Sequence, residues 1–166
     1  EIEMSKSTPG IISRKISSAL IYYRNNLIKV YNLVKEKKMN EIEKVWKVVE
    51  KEINDGVDKF NREAEFYSDK KLYFYLLKSH FDITSIVTTL VSRDKPEFSF
   101  ICVFDLGDGF LKISARCQSK NQDMNALMKK AIVGLKDATA GGHIPAAGGR
   151  IRKKDLRKFK ENLLKD

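Results

Sequence analysis

Phe98-Ser99-Phe100-Ile101-Cys102-Val103-Phe104-Asp105-Leu106-Gly107-Asp108-Gly109-Phe110-Leu111-Lys112-Ile113-Ser114-Ala115-Arg116-Cys117 decides the fold class. Its first part is almost continuously apolar, as expected of a central strand. Gly107-Asp108-Gly109 supplies a tight turn. Phe110 to Cys117 then alternates, with Leu111, Ile113, Ala115 and Cys117 on one side and Lys112, Ser114 and Arg116 on the other. Strands joined by so short a turn are antiparallel.

Upstream, Leu72 to Leu77 is dense in Tyr, Phe and Leu and predicts another strand. Asp82 is placed to cap a helix carrying Ile83, Ile86, Val87, Leu90 and Val91, which Asp94-Lys95-Pro96 breaks. Downstream, Met124 to Leu135 has helical spacing, and a Gly/Ala loop is expected from Ala140 to Gly149. A last strand from Gly149 to Arg152 and a last helix from Asp155 to Leu164 follow. The order from residue 67 predicts an α+β fold, a mixed sheet with helices on one side.

Residues 1–66 have helical periodicity. Thr8-Pro9 predicts a helix start, and apolar residues recur from Leu20 to Val34 until Lys35–Lys38 close the helix. Asn40 and Glu43 resemble a capping box for a second helix from Ile42 to Phe60. The expectation is an N-terminal helical hairpin over 1–66 and a compact domain over 67–166. The stripe along these helices reads first as packing surface.

The composition, 42% hydrophobic in 166 residues, supports a real core. No apolar run is long enough to span a bilayer, and the opening Glu1-Ile2-Glu3-Met4 lacks a signal-peptide core and reads as mid-chain sequence. Cys102 and Cys117 fall in predicted strands, as small hydrophobes in a reducing, cytoplasmic setting. The net charge of +10 suits a polyanionic partner or simply a lysine-rich solvated surface. Charge alone does not choose between them.

Two features choose. The polar side of the alternating strand sets Lys112, Ser114 and Arg116 in a row, where a guanidinium fork and a hydroxyl can meet an anion. A solvated strand face is the plainer alternative. The stretch Ala140-Gly141-Gly142-His143-Ile144-Pro145-Ala146-Ala147-Gly148-Gly149 removes nearly all side-chain bulk around one imidazole. A backbone so bare admits a ligand closely, and Arg150, Arg152, Lys153 and Lys154 follow it.

Gly141-Gly142-His143, with Ala146-Ala147-Gly148 after it and Ser114-Ala115-Arg116 one helix before it, resembles the GGH signature and Ser-x-Arg strand of the DHH-associated C-terminal domain. The likeness covers about residues 70–166. The Tyr-rich strand and the helical linker resemble RecJ-like exonucleases of the DHH phosphoesterase superfamily, of the archaeal type.

The resemblance implies that His143, Gly141, Gly142 and Arg116, with Ser114 and Lys112 beside them, bind substrate phosphates. It implies single-stranded DNA or RNA as partner, and a separate DHH catalytic domain of the same protein carrying manganese. This chain has two histidines and no Asp-His-His run, so no catalytic or metal-ligating residue is expected in it. Ala140 replaces a glycine common in relatives. Alternatives are a module for short oligonucleotides or cyclic dinucleotides, or a Cdc45-like scaffold docking replication proteins through its helices. The editing part of an alanyl-tRNA synthetase ranks last.

Overall fold

The computed structural model describes residues 7–165. The opening read as mid-chain sequence lies outside them. The chain divides into two compact units, Glu1–Asp55 and Gly56–Asp166.

The first unit holds two helices and most of a third, where the sequence reading expects two helices. Helix α1 (Thr8–Tyr22) is capped by Ser7, whose side chain accepts from the Gly10 amide. It stops at Tyr23, and α2 (Leu27–Lys35) starts afresh under Asn26, whose side chain accepts from the Lys29 amide. Apolar spacing runs unbroken across this junction, but the Asn26 side chain competes with the helical ladder there. Helix α3 (Met39–Glu63) begins before Asn40, which is therefore an ordinary helical residue and not a cap. Ala19, Val30, Leu33, Ile42 and Val45 form the core of this unit.

The second unit is built on a six-stranded sheet. Its strands are β1 (Glu65–Tyr67), β2 (Leu72–Leu77), β3 (Ser99–Asp105), β4 (Phe110–Arg116), β5 (Thr139–His143) and β6 (Ala146–Arg152). Their order is β1-β2-β3-β4-β6-β5. Only β2 and β3 run parallel, so the sheet is mixed and the fold α+β, as expected.

Helices α5 (Met124–Ala131) and α6 (Leu156–Leu164) cover one sheet face. There Leu72, Phe74, Ile101, Val103, Leu111, Ile113 and Ala115 meet Met124, Met128, Phe159 and Leu163. Each of these buried side chains larger than alanine contributes on the order of 1.5–3 kcal/mol. Helix α4 (Thr84–Val91) packs on β3 and β4 from the other face, with Phe60 from the end of α3 against Tyr75 and Phe100. The helices thus lie on both faces and not on one side only. The continuous burial of β3 requires this, because a strand apolar in both directions needs a layer on each.

Cys102 and Cys117 are both buried and unpaired with each other, and burial pushes the Cys102 thiol up to about 12. No described helix is long and apolar enough to cross a membrane.

The Gly/Ala stretch departs most from expectation. It is no loop: β5 and β6 form a hairpin joined by Ile144-Pro145 alone. Neither turn residue has a positive φ, the usual device of two-residue hairpins. The turn is held from outside, where the Ile144 carbonyl accepts from Met124 N at 2.9 Å and the Pro145 carbonyl from Cys117 N at 3.0 Å.

Candidate functional site

The sheet register sorts the expected binding residues into rows. On the face away from α5 and α6, Ser114 pairs with Gly148, which pairs with Gly141. Directly opposed residues point to the same side of a sheet. This row is therefore a serine followed by two positions with no side chain. It forms the floor of a trough. One wall is the row of Lys112 and Arg150, and the other is the row of Arg116, Ala146 and His143.

A cavity of about 260 Å³ occupies this trough. Lys112, Ser114, Arg116, Gly141 and Gly142 all line it, and Ser85 of α4 closes one side. His143 lines the adjoining cavity of about 410 Å³ with Lys120, Asp123 and Asn125, and Gly142 borders both. Five of the six expected residues thus share one cavity, and the imidazole stands at its neighbour, two strand spacings or about 10 Å from Arg116. His143 is exposed.

The glycines differ in what the fold requires of them. A Cβ on Gly142, at φ +153°, would lie 2.4 Å from the Ala146 carbonyl oxygen. One on Gly149 would lie 2.8 Å from the Thr139 carbonyl oxygen and 2.9 Å from Met128 Cε. These two are glycine because the hairpin and α5 leave no room. Gly141 has nothing within 4 Å of its Cβ direction, and Gly148 meets only the Ile113 carbonyl oxygen at 3.5 Å. Neither has a positive φ. Packing does not demand glycine at either floor position.

The cations are also unequal. Lys112 is bound to Asp82 at 2.8 Å, and that carboxylate is nearly buried at 9% side-chain exposure. Asp82 is therefore not the cap of α4 that its position in the sequence predicts. It precedes the Ile83 cap, accepts from the Thr84 hydroxyl at 2.8 Å and holds Lys112. Arg150 is tied to Asp108 and Arg152 to Asp137. The Arg116 side chain forms no hydrogen bond or ion pair with any described residue. Ser85 and the Lys112-holding role of Asp82 are not visible in the sequence, because α4 reaches the site from a distant segment. Gly148 stood in the quoted stretch without a role, since its register to Ser114 appears only once that stretch is a strand.

Among the described residues no three His, Cys, Asp or Glu side chains cluster as a metal site would.

The model of the DHHA1 domain matches residues 69–165. No curated protein matches the sequence. Among solved structures, RecJ from Thermus thermophilus in complex with manganese is similar with a TM-score of 0.69 at 16% identity, over 92% of this chain and 23% of RecJ. CDC45 from Entamoeba histolytica is similar at 0.55 and 12% identity, over 95% of this chain and 37% of that one. An exopolyphosphatase-related protein from Bacteroides fragilis reaches 0.51 at 16% identity, over 83% and 42%. Identities this low establish a shared fold, and the chain spans less than a quarter of RecJ's length. The domain model matches over half the chain, on the sheet that carries the Ser114–Arg116 strand and the glycine hairpin, and the chain accordingly belongs to the DHHA1 domain family, with the fold of the corresponding part of RecJ.

Proposed function

We propose that this domain binds single-stranded nucleic acid by seating the sugar–phosphate backbone in the Ser114–Gly148–Gly141 trough. In the whole protein it would position a strand for a separate, manganese-bearing DHH catalytic domain. The observation that carries this reading is that Gly141 and Gly148 are bare where the fold has room for a side chain. A cleared floor beside an uncommitted guanidinium suits a ligand that must lie close to the sheet.

The chemistry follows from the residues. Arg116 offers a planar fork to two phosphate oxygens. Ser114 supplies a hydroxyl from the floor, Gly141 and Gly148 leave the approach open, and the Gly142 backbone borders both cavities. His143 meets the next phosphate at the adjoining cavity. Lys112, held by Asp82, contributes field more than a direct contact. Such contacts fix register without reading sequence. Their catalytic value would lie in orientation relative to groups elsewhere.

Titration of a labelled single strand by fluorescence anisotropy tests this. Arg116→Ala and His143→Ala are each expected to weaken binding several-fold, and each lost phosphate contact should lower the salt slope by about 0.7. Parental affinity in both variants would remove the site. A dinucleotide bound as tightly as a longer strand would favour the short-oligonucleotide reading. Strand binding untouched by deletion of the helices, alongside loss of a replication protein partner, would assign the helices to docking.

A further inference from the structure

One row of the sheet crosses all six strands. Phe66 pairs with Tyr73, Tyr73 with Phe100, Phe100 with Arg116, Arg116 with Ala146 and Ala146 with His143. These side chains share the face of the trough. The near half of the row is phosphate chemistry, and the far half is a ladder of rings. Tyr73 stacks on Phe100 at 5.2 Å and 14°, and Phe66 on Tyr73 at 4.6 Å and 26°.

The ladder opens outward. Phe100 is 1% exposed, whereas Phe66, on the three-residue edge strand, is 47% exposed. Packing therefore accounts for the inner rings and leaves the outermost one half bare. A cation accompanies it: the Lys95 ammonium lies 4.7 Å from the centre of the Tyr73 ring and donates to the Tyr73 hydroxyl at 2.7 Å. The loop bearing Lys95 also reaches toward the other half of the row. The Pro96 carbonyl accepts from Ser119 N at 2.8 Å, just beyond the end of the Arg116 strand.

We propose that Phe66 is a stacking platform for an unpaired nucleobase of the same strand whose phosphates occupy the Arg116 trough, with Lys95 beside the connecting backbone. The inference rests on the phosphate-seat reading for the rest of the strand. Phe66 stands three strand spacings from Arg116, about 14 Å. That is roughly four nucleotides at the ~3.4 Å rise of a stacked strand, and fewer in an extended one. Phe60 covers Phe100 in the middle of the row, so the strand would pass around it along the Lys95–Pro96 loop, from a flat ring beside an ammonium to a guanidinium that has no partner among the described residues. An apolar protein segment would have no use for the cations.

Two probes separate base from backbone: a short oligothymidylate and an abasic sugar–phosphate strand of equal length. Phe66→Ala should weaken oligothymidylate binding roughly tenfold, within the range for one stacked base, and leave abasic binding within about twofold. Phe66→Trp should restore or raise the first affinity. Phe66→Leu, which keeps apolar volume without a ring, should behave as the alanine variant, and it decides the matter if circular dichroism shows that Phe66→Ala fails to fold. Equal binding of both probes by Phe66→Leu and the parent, or equal loss of both, overturns the proposal. Arg116→Ala reports separately on the phosphate seat: it should weaken both probes alike, and if it weakens neither, that reading fails whatever Phe66 does.

Discussion

Asp82 reaches the trough from the segment before α4 and holds the Lys112 ammonium at 2.8 Å, while Arg116, two pleats further along the same strand face, has no acidic partner among the described residues. The strand thus offers one cation already neutralised and one at liberty. Asp82→Asn should release Lys112 into the trough while still accepting from the Thr84 hydroxyl. The expected outcome is several-fold tighter single-strand binding, with a salt slope steeper by about 0.7 as one more phosphate is engaged. Titrations at low and high salt measure both. An unchanged slope would place Lys112 outside the contact.

Gly148 and Gly149 are neighbours with opposite requirements. Alanine at 148 has room, meeting only the Ile113 carbonyl oxygen at 3.5 Å. It also removes the backbone freedom of a strand glycine, which is worth about 0.5–1 kcal/mol. Gly148→Ala should therefore melt at or slightly above the parental temperature, yet bind a single strand several-fold more weakly, because its methyl fills the floor. Alanine at 149 meets Thr139 backbone at 2.8 Å and Met128 at 2.9 Å. Overpacking of this kind costs about 1–3 kcal/mol, so Gly149→Ala should melt clearly lower. Thermal melts with anisotropy titrations check the pair, and a stable Gly148→Ala with full affinity would leave the floor without a ligand.

What was legible in the sequence follows from how strongly each segment's pattern excluded alternatives. The β3–β4 hairpin could be read because alternation over Phe110–Arg116 admits no helical reading and Gly107-Asp108-Gly109 admits little but a turn. The glycine stretch was legible as a site and illegible as structure. Gly and Ala carry little strand propensity, and the β5–β6 hairpin is held by carbonyls bonded to Cys117 and Met124, which local sequence cannot show. β1 is three residues long and too short to show a period. The break at Asn26 hid behind apolar spacing that continues through it. The role of Asp82 was out of reach, since its partner Lys112 lies 30 residues away.

β1 carries Phe66 and is clipped to α6 by its neighbour. Glu65 accepts from Lys160 Nζ at 2.5 Å and from the Tyr67 hydroxyl at 2.6 Å. The Lys160 contact first, and Tyr67 second, hold the Glu65 carboxyl below the ordinary range. A carboxyl whose folded pKa is lowered contributes stability that is fully present above its unfolded value, about 4.3, and that disappears as pH falls through the folded value. Glu65→Gln cannot make this contribution at any pH. The parent should therefore melt above Glu65→Gln at neutral pH, and the two curves should converge as the solution is acidified below the ordinary glutamate range. Melting temperatures of both proteins across that range test this, and a gap that persists at the acid end would mean that Glu65 acts through packing and not through its charge.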